Sequence, residues 1–545
     1  MHRRGLATLV VLLLSWGVPA KLARAQEAAA NPDIERMKAQ LAAQQEQIDQ
    51  LRKAIDDQKK FLEEASRPKP MSLGEVASTT PVVPVAEPPA PLHPALAGAL
   101  GGGQAGGESA PAPSPLQIHI GTSTITPVGF LDFTTVFRSS DIGSSIGTNF
   151  GATPYNSSVL DKLTETRLSA QNSRIGARID ALVHDTKVLA YWESDFLGTQ
   201  ATNAAVSTHS DSFRMRLYWV DLRRGNWEVL AGQSWSMLTP NRNGISPLPG
   251  DIFYSQDMDT NYQVGLTWTR APQIRVVYHP SDTVTAGISF ESAEQYVGGS
   301  SGGGAATLPN AFSTYTNTVV DSGASTYTTP NLHPDIQAKI AFDPEVNGNH
   351  LHIEFAGLVS SFKTANLNQS FTKTGGGGEA NFNLEVFKNF HLIVNLFASD
   401  GGGRYLFGQA PDLVIRGNGA PQPLHADSAI GGFEWTHGNS LLYAYYGGDY
   451  IGRDTVIDVA NNNALVGYGY YKSPTSQNRT IQENTIGLIQ TFWKNPNYGG
   501  LSLITQYSYL WRNPWYLAPG APRYAHNSMI WVDLRYTLPG QAPHY

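Results

Sequence analysis

Between Ser173 and Leu238 the chain alternates apolar and polar residues with a period of two. In SRIGARIDALV, Ile175, Ala177, Ile179 and Ala181 fall on one face, and Arg174, Arg178 and Asp180 on the other. In TKVLAYWESDF, Val188, Ala190, Trp192 and Phe196 oppose Lys187, Tyr191, Glu193 and Asp195. In SFRMRLYWVDL, Phe213, Met215, Leu217 and Trp219 oppose Arg214, Arg216 and Tyr218. Successive side chains of a strand point to opposite sides, so this period predicts strands with one face for hydrocarbon and one for water. A β-sandwich and a transmembrane β-barrel both alternate in this way, and the rest of the chain has to separate them.

The same period recurs to the end of the chain. Leu131, Phe133 and Thr135 alternate with Asp132 and Thr134, and a closing strand sets Ile530, Val532, Leu534, Tyr536 and Leu538 against Trp531, Asp533, Arg535 and Thr537. Pro539 to His544 then intervene before Tyr545. Between the strands, short polar turns (His184–Thr186, Arg224–Asn226, Pro280–Asp282, His437–Ser440, Asn495–Asn497) take turns with long Gly/Ser/Thr/Asn loops (Ser140–Asp161, Gly198–Asp211, Ala293–Pro334, Ile451–Gln482). Short turns on one side and long loops on the other is the layout of an outer-membrane barrel, and a compact soluble domain rarely carries so many long loops.

A different periodicity precedes the strands. From Asn31 to Glu64, Ile34, Met37, Leu41, Gln44, Ile48, Leu51, Ile55, Gln58 and Leu62 step by threes and fours, the a and d positions of a coiled coil. Such a helix cannot bury its stripe alone, which predicts a homo-oligomer; packing on or inside its own barrel is the alternative. Residues 65–115 are a Pro/Ala/Gly-rich linker without the composition for a core. Residues 1–25 have the form of a secretory signal peptide: Arg3 and Arg4, an apolar run from Leu6 to Leu14, and Ala23-Arg24-Ala25 for cleavage. No later stretch has the length and apolarity of a spanning helix, so a membrane-embedded mature chain must cross by strands.

Composition narrows the class further. The 545 residues include 53 Gly, 24 Tyr and 11 Trp but only 15% charged residues and no cysteine, so an exported chain must rely on strand pairing rather than disulfides. The net charge is −7, and loss of residues 1–25 with their four basic residues leaves −11, which argues against nucleic-acid binding.

The layout resembles the DcaP-like trimeric porins of Gram-negative outer membranes. The resemblance is carried by SRIGARID (Ser173–Asp180), FRMRLYWVDLRRGNWEVLAGQSWSML (Phe213–Leu238), GGGRYLFG (Gly401–Gly408) and YSYLWRNPWY (Tyr507–Tyr516), with the order of signal peptide, coiled coil, linker and barrel. Phosphate-selective porins are a neighbouring possibility. The resemblance implies an all-β transmembrane barrel of about 16 antiparallel strands over residues 116–545, preceded by a periplasmic α-helical coiled coil. It also implies three chains per assembly, a pore narrowed by an inward-folded loop, and a basic lumen admitting small anions such as dicarboxylates.

If Ile175, Trp192 and Leu217 face lipid, then Arg174, Arg178, Lys187, Arg214 and Arg216 face the pore from three adjacent strands. There they would ease the entry of an anion, with Glu193 and Asp195 partly neutralising and holding them. Arg404, after Gly401–Gly403, could reach the pore from a loop. The same charges could instead pair across strands and be structural only. His350 and His352 share a strand face and are a weak metal-ligand candidate. No nucleophile, metalloprotease or phosphate-loop motif occurs, and no cofactor is implied. The expected function is passive diffusion of small hydrophilic solutes across the outer membrane. A non-conducting barrel that binds partners through its loops, or an outer-membrane hydrolase, are the rivals.

Overall fold

The computed structural model describes residues 45, 53, 115–198, 211–247, 253, 258–300, 302–323 and 329–539. The chain divides into two units, residues 1–90 and 91–545. In the first, Gln45 and Lys53 are helical and exposed. The signal peptide, the seam residues Ile34, Met37, Leu41, Gln44, Ile48, Leu51, Ile55, Gln58 and Leu62, the linker up to residue 114 and residues 540–545 lie outside the described residues.

The second unit contains sixteen strands that close on themselves: β1 (Ser123–Arg138), β2 (Arg174–Val183), β3 (Thr186–Asp195), β4 (Arg214–Arg224), β5 (Trp227–Trp235), β6 (Arg270–Ser281), β7 (Val284–Glu291), β8 (Asp335–Phe342), β9 (Asn349–Ala365), β10 (Ser370–Phe387), β11 (Phe390–Asp400), β12 (His425–His437), β13 (Ser440–Ile451), β14 (Asn478–Asn495), β15 (Gly499–Pro514) and β16 (Ala525–Thr537). Each pairs antiparallel with its neighbour in sequence, and β16 returns to β1 from Arg138↔Met529 to Phe130↔Thr537. Closure decides between barrel and sandwich, because it leaves no sheet edge.

The strands join at one end through short turns. Two of these, at Asn389 (φ 66°) and Gly438 (φ 59°), need the left-handed backbone that Asn and Gly tolerate and that matches the twist of a tight hairpin. At the other end all the connections but 366–369 run to ten residues or more. The expected loops Ser140–Asp161, Ala293–Pro334 and Ile451–Gln482 lie there in their described parts, while of Gly198–Asp211 residues 199–210 lie outside the described residues.

The alternation sorts the two faces. On β16, Ile530, Val532 and Leu534 are 43–50% exposed while Met529, Trp531 and Asp533 are at 0%, as the pattern predicted. Outward Trp227, Tyr278, Phe387, Trp435 and Trp493 sit near the turns. Outward Phe213, Tyr446, Tyr450 and Tyr507 lie toward the loops, giving the two aromatic belts of a membrane barrel.

One face assignment is corrected. On β4 the register against β3 jumps from Glu193↔Leu217 to Ser194↔Met215, so Arg216 is an extra, bulged residue. Both Arg216 and Leu217 are buried, and beyond the bulge Leu217, Trp219 and Asp221 face inward while Tyr218, Val220 and Leu222 face out. Leu217 and Trp219 are therefore lumen residues and Tyr218 is not, because one inserted residue flips every later side chain.

Candidate functional site: the lumen and the segment that crosses it

A barrel of sixteen strands is wide enough for an aqueous channel, so what fills it decides what it can do. The described residues of the connection from β5 to β6 (236–247, 253 and 258–269) fold inward and reach the far wall. Irregular backbone in a lumen has no ladder to satisfy its N–H groups, and here side chains of the wall take them. Met237 N donates to Glu291 on β7 (2.9 Å), Asn241 N to Glu354 on β9 (3.1 Å), Thr267 N to Asn395 on β11 (3.0 Å) and Val264 N to Glu483 on β14 (3.1 Å). The Arg242 guanidinium grips Glu434 on β12 with two bonds of 2.7 and 2.8 Å. Val264 and Gly265 lie so close to β12 and β13 that a Cβ at Gly447 would run into the Val264 carbonyl, and one at Gly265 into that of Ala429. Aromatic rings brace the segment at its exit: Tyr262 and Trp268 lie 4.3 Å apart, and Trp268 stacks on Phe407 at 5.0 Å.

Phe407 belongs to a second inward connection, residues 401–424 between β11 and β12. There Arg404 is nine-tenths buried and ion-paired to Asp335 and Asp412. Asp412 also accepts N–H bonds from Arg404 (2.8 Å) and Tyr296 (3.1 Å), tying this connection to residues 292–334. Burial pushes the Asp412 carboxyl up to about 7, against the opposing pull of Arg404 and the two N–H groups. The folded connection thus keeps a proton that an unfolded aspartate releases near ~4, so it loses stability as pH rises from ~4 to ~7. Hydrogen exchange of residues 401–424, corrected for intrinsic rate, should show protection falling over that range. Asp412→Asn should flatten the profile; an unchanged profile in the variant would remove Asp412 as its source.

The expected pore residues divide into groups. Arg174, Arg214, Arg216, Glu193 and Asp195 come together near the loop end of β2–β4. Arg214 pairs with Asp195 (2.6 Å), and Arg216 with Glu193 (2.7 Å) and Asp195 (2.8 Å). Arg216 also donates to the Tyr262 hydroxyl at 3.0 Å, which fixes the crossing segment to this wall. Arg178 pairs with Asp180 on its own strand (3.0 Å). Lys187 stands near the turn end of β3, eight residues and ~27 Å along the strand from Asp195, and does not join the cluster. Arg404 anchors its own connection, away from these strands. Arg174 has no carboxylate partner among the described residues; its guanidinium lies 5.2 Å from the Phe130 ring.

Other charged residues became visible only in three dimensions. Arg270, at the start of β6, is paired in register with Trp235 and lies 5.5 Å over its ring. Among the described buried charged residues, seventeen are Asp or Glu and seven Arg or Lys. Several of the acids are the anchors just described, which accounts for part of the excess. His352 is held by Asp343 (2.7 Å) and Glu354 (3.2 Å) while His350 is part-exposed, and no group of three ligands fit for a metal occurs among the described residues. The inward segment 236–269 was not among the loops expected from sequence, although its turn-rich run TPNRNGISPLPG was a signal.

No protein-family model matches the chain, and no curated protein sequence matches it significantly. Among solved structures, the outer-membrane channel DcaP of Acinetobacter baumannii aligns over 76% of this chain and 97% of its own, at 17% identity and a TM-score of 0.54. The fold is that of an outer-membrane channel. An anion-selective porin from Comamonas acidovorans aligns over 76% of this chain and 99% of its own at 12% identity, with a TM-score of 0.42. OmpF of Salmonella typhi aligns over 77% and 99% at 10% identity, also with 0.42.

Proposed function

We propose that this protein is an outer-membrane porin through which small hydrophilic solutes diffuse down their gradients, and that its functional form is a homotrimer with the coiled coil in the periplasm. The observation that carries the reading is a closed barrel, apolar outside and polar inside, with the connections 236–269 and 401–424 anchored in its lumen. A preference for small anions such as dicarboxylates draws on Arg174, Arg214, Arg216 and Arg270, four guanidiniums gathered against Glu193 and Asp195. A second reading, preference for cations, is favoured by the seventeen buried acids against seven buried bases among the described residues. The local cluster outweighs the distant excess if ions pass within about 8 Å of it, the screening length at physiological salt.

The test is conductance of the purified oligomer in a planar bilayer under a KCl gradient. The expected result is steps in groups of three with a reversal potential on the chloride side. Potassium-side reversal would move the reading to a cation-preferring porin. Absence of steps from a folded barrel would replace it with an occluded barrel that binds partners.

A further inference from the structure

The basic cluster on β2–β6 is not uniform. Arg138, Arg178, Arg214, Arg216, Arg242 and Arg535 each hold a carboxylate at 2.6–3.0 Å. A guanidinium already held in this way has its charge balanced and its donors occupied, so it offers a passing anion little. Five lumen-side arginines differ in having no carboxylate partner among the described residues. Arg512 spends its donors on the Thr153 and Thr475 carbonyls and Asn478 Oδ1, and Arg223 stands at the turn end of β4, nine residues and ~30 Å along the strand from Arg214. Arg275 is 2% exposed, with Nε and Nη2 sealed from solvent and unbonded, so a solute cannot reach it. Arg174 has its Nε sealed as well, and shares the Phe130 ring with Arg535, which lies 4.2 Å from it. Arg270 is part-exposed, and none of its nitrogens is among those sealed without a partner. Its guanidinium lies 5.5 Å over the Trp235 ring, which is also 5.7 Å from Arg216. The charges that act on it are Arg216, Arg214 and Asp195, and Asp195 is already shared by the other two.

We propose that Arg270 is the specificity-determining residue of the lumen, the guanidinium that takes a carboxylate solute, while Arg214 and Arg216 build the wall behind it. This rests on the porin reading and adds the residue to it. A flat ring beneath a guanidinium engages its face and leaves its N–H edge for an anion, and the fork of donors matches a carboxylate bidentately. With Glu193 and Asp195 taken by Arg214 and Arg216, an incoming carboxylate supplies the counter-charge that no described side chain gives Arg270. The location is also suitable. Arg270 stands where the crossing segment rejoins the wall, so a solute passing that segment passes Arg270.

The experiment is swelling of proteoliposomes made with the full-length oligomer, comparing succinate with uncharged arabinose. For Arg270→Gln the succinate-to-arabinose rate ratio should fall about tenfold, the low end of the range by which focused charge alters entry rates, with the arabinose rate unchanged. Arg270→Lys should lose about twofold, since the charge remains and the fork is gone. An unchanged ratio in Arg270→Gln, or an equal fall for both solutes, would overturn the assignment while leaving the porin standing. Wild-type liposomes that admit neither solute would instead overturn the porin reading. If Arg270→Gln does not fold, Arg270→Lys decides: a wild-type ratio there overturns the proposal.

Discussion

Gly447→Val should open the lumen. The Gly447 Cα faces inward on β13, and any Cβ there would run into the carbonyl of Val264 in the crossing segment. Valine suits a strand, so β13 keeps its ladder to β12 and β14 and the segment yields instead. Displacement breaks the bond from Val264 N to Glu483 and separates Gly265 from β12 and β13. Because pore width at the narrowest level governs conduction, single-channel conductance should rise about twofold or more. The size limit for neutral sugars should rise with it. Gly357→Val is the control, since a Cβ at Gly357 meets nothing nearer than the Gly377 carbonyl at 4.0 Å. Unchanged conductance from a folded Gly447→Val barrel would show that residues 236–269 do not set the constriction.

The second large effect is on stability. Arg216 is 2% exposed and bonds Glu193, Asp195 and Tyr262 at once. Arg216→Ala leaves the buried Glu193 carboxylate without its cation, leaves Asp195 to Arg214 alone and frees the crossing segment from β4, a loss of about 3–5 kcal/mol for breaking a buried pair by removing one partner. It should appear as a lower temperature for heat-induced unfolding of the barrel in detergent. Replacing the pair with neutral groups of similar size, Arg216→Met with Glu193→Gln, should restore much of the loss, since removing both charges spares the desolvation penalty. If the single variant melts with the wild type, the network contributes no stability and the bulge on β4 needs another cause.

That bulge marks the limit of the alternation as a guide. β2 reads correctly, with Ile175 and Ile179 outward and Arg178 inward, because nothing interrupts its period. β4 reads correctly only as far as Arg216. No feature of FRMRLYW itself places an extra residue at Arg216; the residue is held there by Glu193 and Asp195 on the next strand and Tyr262 on the crossing segment.

The sequence by itself determined the period of two, the turns and the outward apolar face, because backbone pleat and local turn chemistry act within a few residues. It also indicated a barrel, through short turns opposed to long loops. Only the tertiary structure decided which connections fold into the lumen and which arginines remain without a carboxylate. Those outcomes depend on partners far apart in the chain: Val264 finds Glu483 across 219 residues, and Arg242 finds Glu434 across 192. A charge reads the same in a sequence whether it is paired or open, and pairing is settled only when closure of the barrel brings opposite walls within reach of one segment.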